Sequence, residues 1–262
     1  MTEGKISSIA ISGAGNVGTQ LAKHFHREGI HVKYILSRTF EKAEELAILT
    51  SAQAVRSYSE IEETDLILLC IPDDKIAEEL KRIPDFFSVA YTAGSIELGI
   101  LPPRKELGVF YPLQTFSKGR EINLFEVPFL IESGDTVFSE KLFNLAWVCS
   151  RKVQFASSAE RKHIHLSAVL INNFTNHLAY LSEEFMKQHN LDWNLMKPLL
   201  KETVDKLNSF SPYDAQTGPA RRNDREIIKE HITMLEGTTR EIYRILSESI
   251  LTTYLHKDND KL

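Results

Sequence analysis

The stretch Ile9-Ala10-Ile11-Ser12-Gly13-Ala14-Gly15-Asn16-Val17-Gly18, running directly into Thr19-Gln20-Leu21-Ala22-Lys23-His24-Phe25, decides the reading of this chain. A short apolar run stops at a G-x-G-x-x-G turn and an apolar-periodic segment follows at once, which predicts strand, tight turn and helix. In that context Gly13 lets the chain leave the strand sharply, Gly15 leaves room for a pyrophosphate, and Gly18 lets the helix pack close to the sheet. The first-turn N–H groups of the helix then face the phosphates. The backbone from Gly13 through Ala14, Gly15, Asn16, Val17 and Gly18 is thus the expected cradle of a dinucleotide. An ordinary strand-to-helix turn is the alternative.

The second strand says which dinucleotide. After Gly29, a residue type that ends helices, His31-Val32-Lys33-Tyr34-Ile35-Leu36 reads as a strand and is followed by Ser37-Arg38-Thr39. About 20 residues past such a Gly turn, NAD sites carry an Asp or Glu for the ribose 2′-OH. None stands here. A carboxylate would repel a 2′-phosphate, whereas the Arg38 fork and the Ser37 and Thr39 hydroxyls suit one, so NADP(H) is expected over NAD(H). Otherwise Arg38 is a solvated loop charge and Thr39 simply caps a helix over Phe40–Leu49.

Strands and helices go on alternating for about 150 residues. Asp65-Leu66-Ile67-Leu68-Leu69-Cys70-Ile71 is a continuous apolar run, as expected of a central parallel strand buried on both faces. Pro72-Asp73-Asp74 ends it and a short helix over Lys75–Arg82 follows. Ser88–Thr92 is the next strand, closed by Ala93-Gly94-Ser95, and Gly108–Phe110, Pro128–Ile131 and Val153–Phe155 are shorter ones. The turns after the strands, with Ile71, Pro72, Thr92 and Gly94, belong at the carboxyl edge of the sheet beside the cofactor, unless Pro and Gly are mere punctuation there. From Ala159 to Gln188 there is neither Gly nor Pro, and Ser157-Ser158 can cap the start, which predicts a helix of roughly 30 residues, near 45 Å. Further helices are expected over Leu195–Leu207, Asp224–Glu236 and Thr238–Leu255. The expected fold is α/β: an N-terminal Rossmann doubly wound parallel sheet in 1–155, then an all-α substrate or dimerisation domain in 156–262.

Composition narrows the partners. Lys plus Arg number 31 against 36 Asp plus Glu, a net charge of −5 with no basic block, so nucleic acid is not an expected partner. Cys70 and Cys149 lack metal-ligand spacing, which excludes a cysteine-based metal site and fits a reducing, cytoplasmic setting. Met1 leads into the first strand without a signal-peptide pattern, and no apolar run approaches a membrane span.

Together with the Gly turn and Ser37-Arg38-Thr39, the runs Cys70-Ile71-Pro72-Asp73-Asp74, Gly108-Val109-Phe110-Tyr111-Pro112-Leu113-Gln114-Thr115-Phe116, and Thr217-Gly218-Pro219-Ala220-Arg221-Arg222-Asn223-Asp224, with His165, Asn173 and His231, resemble one family. It is the Rossmann-like family of NADP oxidoreductases with a helical C-terminal domain, sometimes described as deazaflavin-dependent. Its wider relatives are pyrroline-5-carboxylate reductase, ketopantoate reductase, and the 6-phosphogluconate and 3-hydroxyisobutyrate dehydrogenases. The resemblance implies hydride transfer between NADP(H) and a small polar metabolite. Tyr91 and Tyr111 stand where many members have His, and Ala93 where Ser is common. Val169 stands where the hydroxyacid relatives have a Lys one turn before an Asn, so that Lys-dependent chemistry is not expected of this chain.

His165 and Asn173, eight residues apart on the predicted long helix, project to roughly one face. His suits proton transfer near neutral pH and Asn could hold a substrate, which makes this pair the catalytic candidate. A structural His and a loop-binding Asn are the alternative. Thr217, Gly218, Arg221 and Arg222 precede a helix N-terminus and could grip an anionic substrate. Alternatively, Arg222 and Asp224 form a structural pair. The expected protein is thus an NADP-dependent oxidoreductase of a small metabolite, a homodimer through its helical half, or else a non-catalytic NADP(H) sensor.

Overall fold

The computed structural model describes residues 5–117 and 119–259. Its strands β1 (Ser8–Ser12), β2 (His31–Leu36), β3 (Gln53–Val55), β4 (Leu66–Leu69), β5 (Val89–Tyr91), β6 (Leu107–Pro112), β7 (Phe129–Ser133) and β8 (Val153–Phe155) form one sheet in the order β3-β2-β1-β4-β5-β6-β7-β8. The order reverses at β1, so β2 and β4 flank it in parallel and their connections leave on opposite faces. A crevice opens at the carboxyl ends there.

The apolar run is buried on both faces, as its sequence required. Leu66, Ile67, Leu68 and Leu69 have no exposure, and alternate side chains enter different cores. Leu66 and Leu68 pack with Leu21 and Phe25 of α1 (Asn16–Arg27), whereas Ile67 and Leu69 pack with Ile76 and Leu80 of α3 (Ile76–Leu80). Each such side chain contributes about 1.5–3 kcal/mol through burial. Helix α2 (Phe40–Thr50) and helix α4 (Thr136–Cys149) lie on the α1 side.

The sheet departs in one place from the parallel sheet that the sequence led us to expect: β7 runs antiparallel to β6. Among its described residues the connection between them, 113–128, carries a short 3-10 turn and no crossover helix, so it can return alongside instead of crossing over the sheet. That connection lies over α1: Gln20 Nε2 donates to the Arg120 carbonyl (2.9 Å) and Arg27 pairs with Glu121 at 2.6 Å.

Helix α5 (Ser158–Ala168) opens on a capping box in which the Ser157 hydroxyl accepts from the Glu160 N–H and the Glu160 carboxylate accepts from the Ser157 N–H. A π-helical turn, Val169–Phe174, follows before α6 (Thr175–Gln188). The chain falls into two compact units, Met1–Asn173 and Phe174–Leu262. Helix α5, which follows the point at 155/156 where the sequence turns helical, thus falls within the first of these units. The reason is Arg161, whose fully buried guanidinium bonds to Glu132 of β7 and ties α5 to the first unit. The second unit contains α6, α7 (Lys197–Leu207), α8 (Pro212–Ala215), α9 (Arg225–Met234) and α10 (Gly237–Asn259). Within it Tyr254 stacks on Tyr213 and donates to its carbonyl at 2.7 Å, and His231 Nδ1 lies 2.8 Å from the Tyr243 hydroxyl. No described helix is long and apolar enough to cross a membrane.

His24 of α1 is 4% exposed and meets Phe125 edge-on, and its Nε2 is buried without a hydrogen-bond partner among the described residues. Burial holds the imidazole pKa below its usual value, although the Glu28 carboxylate opposes the shift. The unfolded chain, titrating near 6.5, therefore takes up this proton before the folded protein does. Stability should be complete above about pH 6.5 and decline as pH falls from there toward the lower folded value. In calorimetric melting between pH 7 and 5, a His24→Gln variant should show a flatter fall of Tm than the parent; equal slopes would refute this assignment.

Candidate active site

Two of the three glycines of the turn are held to glycine by contacts with the protein's own backbone, and the third is not. Gly13 has φ +114°, and a Cβ there would stand 2.2 Å from the Cys70 carbonyl oxygen. A Cβ on Gly18 would stand 1.9 Å from the Gly13 carbonyl oxygen, so the helix starts in direct contact with the turn. Gly15, at the N-cap of α1, is the reverse: nothing lies within 4 Å of where its Cβ would be. Packing demands glycine at the first and third positions, whereas at the second only a guest laid on the backbone would. Ala14 and Val17 pack toward the core, and Asn16 Nδ2 donates to the Phe116 carbonyl at 3.0 Å.

This turn is one wall of a crevice of about 960 Å³. Ile71 and Pro72 continue that wall, and Ser37, Arg38 and Thr39 form the far end. Thr39 occupies the N-cap position of α2 but its hydroxyl bonds no backbone N–H, so capping does not engage it. Arg38 is exposed and forms no ion pair among the described residues. Two further cations line the same end and escaped the sequence reading, Lys42 in the first turn of α2 and Arg56 just after β3. On the floor, the Tyr58 hydroxyl lies 2.8 Å from Ser12 Oγ and donates to Glu79 at 2.9 Å. Burial pushes the Cys70 thiol up to about 12, so it stays protonated and is no nucleophile.

Thr92 and Gly94 lie beyond β4 along the same sheet edge. The Thr92 hydroxyl donates to the Leu69 carbonyl (3.2 Å), and a Cβ on Gly94 would stand 2.4 Å from the ring of Tyr111. Gly94 is therefore the seat of that ring. Tyr111, near the carboxyl end of β6, brings its hydroxyl to 3.1 Å from His165 Nδ1 on α5. Burial raises the Tyr111 pKa and the Asp73 carboxylate adds to this, with Arg161 opposing, so the phenol keeps its proton. Asp73 in turn accepts from Ser95 Oγ. The Arg161 guanidinium donates to the Gly94 carbonyl (3.2 Å), the Ile96 carbonyl (3.1 Å) and Glu132 (2.5 Å), fixing the seat and α5 together.

His165 thus meets Tyr111, a partner 54 positions away, and not Asn173. Asn173 is exposed within the π turn, where it accepts from Asn172 Nδ2 at 3.4 Å. Eight residues of α-helix overshoot two turns by about 80°. A π turn spends an additional residue per turn, which reduces that offset.

In the second unit, Gly218 has φ +106° and its carbonyl accepts from the Arg222 N–H at 3.3 Å. Thr217 and Gly218 line a largely apolar pocket of about 360 Å³ with Leu178, Phe185, Tyr243 and Leu246. The Arg221 guanidinium lies 4.3 Å over the Tyr254 ring, and Arg222 is exposed. Asp224 caps α9 by accepting from the Ile227 N–H (3.3 Å), and no ion pair joins it to Arg222. Among the described residues, no group of His, Cys, Asp and Glu is arranged to hold a metal ion.

The chain is similar to several known proteins. Residues 8–88 match the family described as NADP oxidoreductase, coenzyme F420-dependent, and residues 127–250 match a domain of unknown function, DUF2520. Among curated proteins the chain is similar to the glutamyl-tRNA reductase of Streptomyces coelicolor, 35% identical over 72 residues, which are 28% of this chain but only 12% of that protein's length. A reductive aminase from Aspergillus terreus, solved with NADPH and ethyl levulinate, shares the fold at 16% identity and a TM-score of 0.70, covering 95% of both chains. A "putative NADP oxidoreductase" from Bacteroides fragilis is 37% identical with a TM-score of 0.85, over 94% of this chain and 98% of that one. At that identity across nearly the whole of both chains, this chain belongs to the same family, the NADP oxidoreductases.

Proposed function

We propose that the protein is an NADP(H)-dependent reductase or dehydrogenase of a small, polar, anionic metabolite carrying a C=N or C=O group. The observation that carries this reading is the open space over Gly15 at the head of a crevice whose far end is cationic. The turn residues would hold the pyrophosphate, and Ser37, Arg38 and Thr39 the 2′-phosphate. NADP(H) bound there supplies hydride chemistry. The Tyr111–His165 pair would handle the accompanying proton. If His165 Nδ1–H donates to the phenol oxygen, the phenol's own proton is free to be passed outward to a developing amine or alkoxide. Asn173 is the candidate for orienting the substrate, and Thr217, Gly218, Arg221 and Arg222 are candidates for holding an anion within the second unit.

The helices also bear on assembly. Leu195 (65% exposed), Leu199 (63%) and Phe210 (58%) lie open in the second unit. Monomeric soluble proteins rarely leave so much large apolar surface in water, which supports a homodimer formed through this half.

Three measurements test the reading. Gly15→Val should fold with a near-parental Tm, because its side chain enters open space, yet lose NADPH binding in calorimetry; retained affinity would mean that the turn is only structural. With small keto acids, with and without an amine, as trial substrates, His165→Asn and Tyr111→Phe should each keep NADPH affinity and lower turnover about 10²–10⁴-fold. The double variant should be no worse than the poorer single, as for groups acting together. Binding of NADPH without turnover by the parent on any trial substrate would instead favour a sensor. Light scattering should give twice the chain mass at micromolar concentration, and a monomer there would rule out the dimer.

A further inference from the structure

Three cations meet at the far end of the crevice, but they are not equivalent. Arg38 and Lys42 belong to the segment that follows β2, whereas Arg56 comes from the end of β3. Leu36 pairs with Val55 in the parallel β2–β3 ladder, so Ser37 and Arg56 leave the sheet side by side. The Arg56 guanidinium is laid 3.6 Å over the ring of Phe40, which is itself the first residue of α2. Its backbone N–H donates to the Glu60 carboxylate at 3.2 Å, so the acid is occupied on the backbone side and makes no ion pair with the guanidinium. The other cations of the crevice, Lys75 and Arg82, are paired with Asp74 and Glu78, and with Glu79. Arg38, Lys42 and Arg56 form no ion pair with any described residue.

We infer that Arg56 is the second arm of a clamp on the 2′-phosphate of NADP(H), closing from β3 while Arg38 closes from β2. This deepens the proposed cofactor reading and rests on it. A guanidinium resting against an aromatic ring loses less freedom when it binds than one loose in water, because the contact already restrains it. Its N–H edge remains available for charge-assisted bonds to phosphate oxygens. A 2′-phosphate carries up to two negative charges, more than one arginine neutralises, and it sits at the ribose end of the cofactor, where the segments after β2 and β3 converge. Arg56 thereby becomes a specificity-determining residue for NADP(H) over NAD(H).

The test uses the purified full chain and two probes, 2′,5′-ADP and 5′-AMP, which differ only in the 2′-phosphate, with calorimetry at fixed salt. Arg56→Met, which keeps a flexible apolar chain against Phe40, should weaken 2′,5′-ADP binding about 10- to 100-fold and leave 5′-AMP within about threefold, the range for losing one charge-assisted interaction. Arg56→Lys should recover part of the loss. Phe40→Leu, with the arginine intact, should weaken 2′,5′-ADP by a smaller factor, because the guanidinium is no longer held in place. Equal losses for both probes would overturn the inference in favour of stacking on the adenine. Unchanged 2′,5′-ADP binding in Arg56→Met, with binding lost in Arg38→Ala, would overturn it while leaving the cofactor reading intact. Failure of the parent to bind 2′,5′-ADP or NADPH would overturn both. Melting curves for each variant separate these outcomes from misfolding.

Discussion

The arrangement of the first unit depends on a charge with nowhere else to go. Arg161 has no exposure, and a guanidinium removed from water must have its donors satisfied or the fold loses several kcal/mol. Its partners come from three places in the sequence: Glu132 on β7, Ser158 at the head of α5, and the carbonyls of Gly94 and Ile96 after β5. Satisfying one side chain therefore fixes the loop that seats Tyr111 and the helix that carries His165. The 3.1 Å contact between those two rings follows from a buried ion pair that itself touches neither. Such pairs are weak evidence for stability, but here the pair sets the geometry of a candidate proton donor.

The same division of labour runs through the crevice. The glycines at positions 13 and 18 are demanded by carbonyl oxygens of the protein itself, and the glycine at 15 by space. The floor is a closed network of Ser12, Tyr58 and Glu79, while the cationic end is open and its charges are not neutralised by neighbouring acids. A surface that spends its carboxylates on Lys75 and Arg82 and leaves Arg38, Lys42 and Arg56 without them is poised for an anion.

Much of the fold was legible because its signals are local. Gly13 to Gly18, the run Leu66–Leu69 and the strand His31–Leu36 each carry their own pattern, and each forms where that pattern placed it. Helix α4 was not singled out, because Phe138, Leu142, Leu145, Ala146 and Cys149 are buried together with apolar neighbours that blur any one-sided stripe. The three-residue β3 is too short to show alternation, and Arg56 was lost with it. Nothing in Val169–Phe174 breaks a helix, so the π turn has no sequence signature. The Tyr111–His165 pair joins a strand to a helix through tertiary packing, which spacing along one helix could not disclose.

Cys149 offers an independent view of the first unit. Its thiol is fully buried at the end of α4 among Phe138, Leu142 and Leu145, and burial raises its pKa. In the closed protein it is both unreachable and protonated, so a thiol reagent reacts only through molecules that have opened. The labelling rate of this one atom then measures the free energy of local opening around the sheet, without heat or denaturant. A cofactor that clasps α1 to the crevice would slow that labelling in proportion to its occupancy. The cysteine becomes a clock for ligand binding.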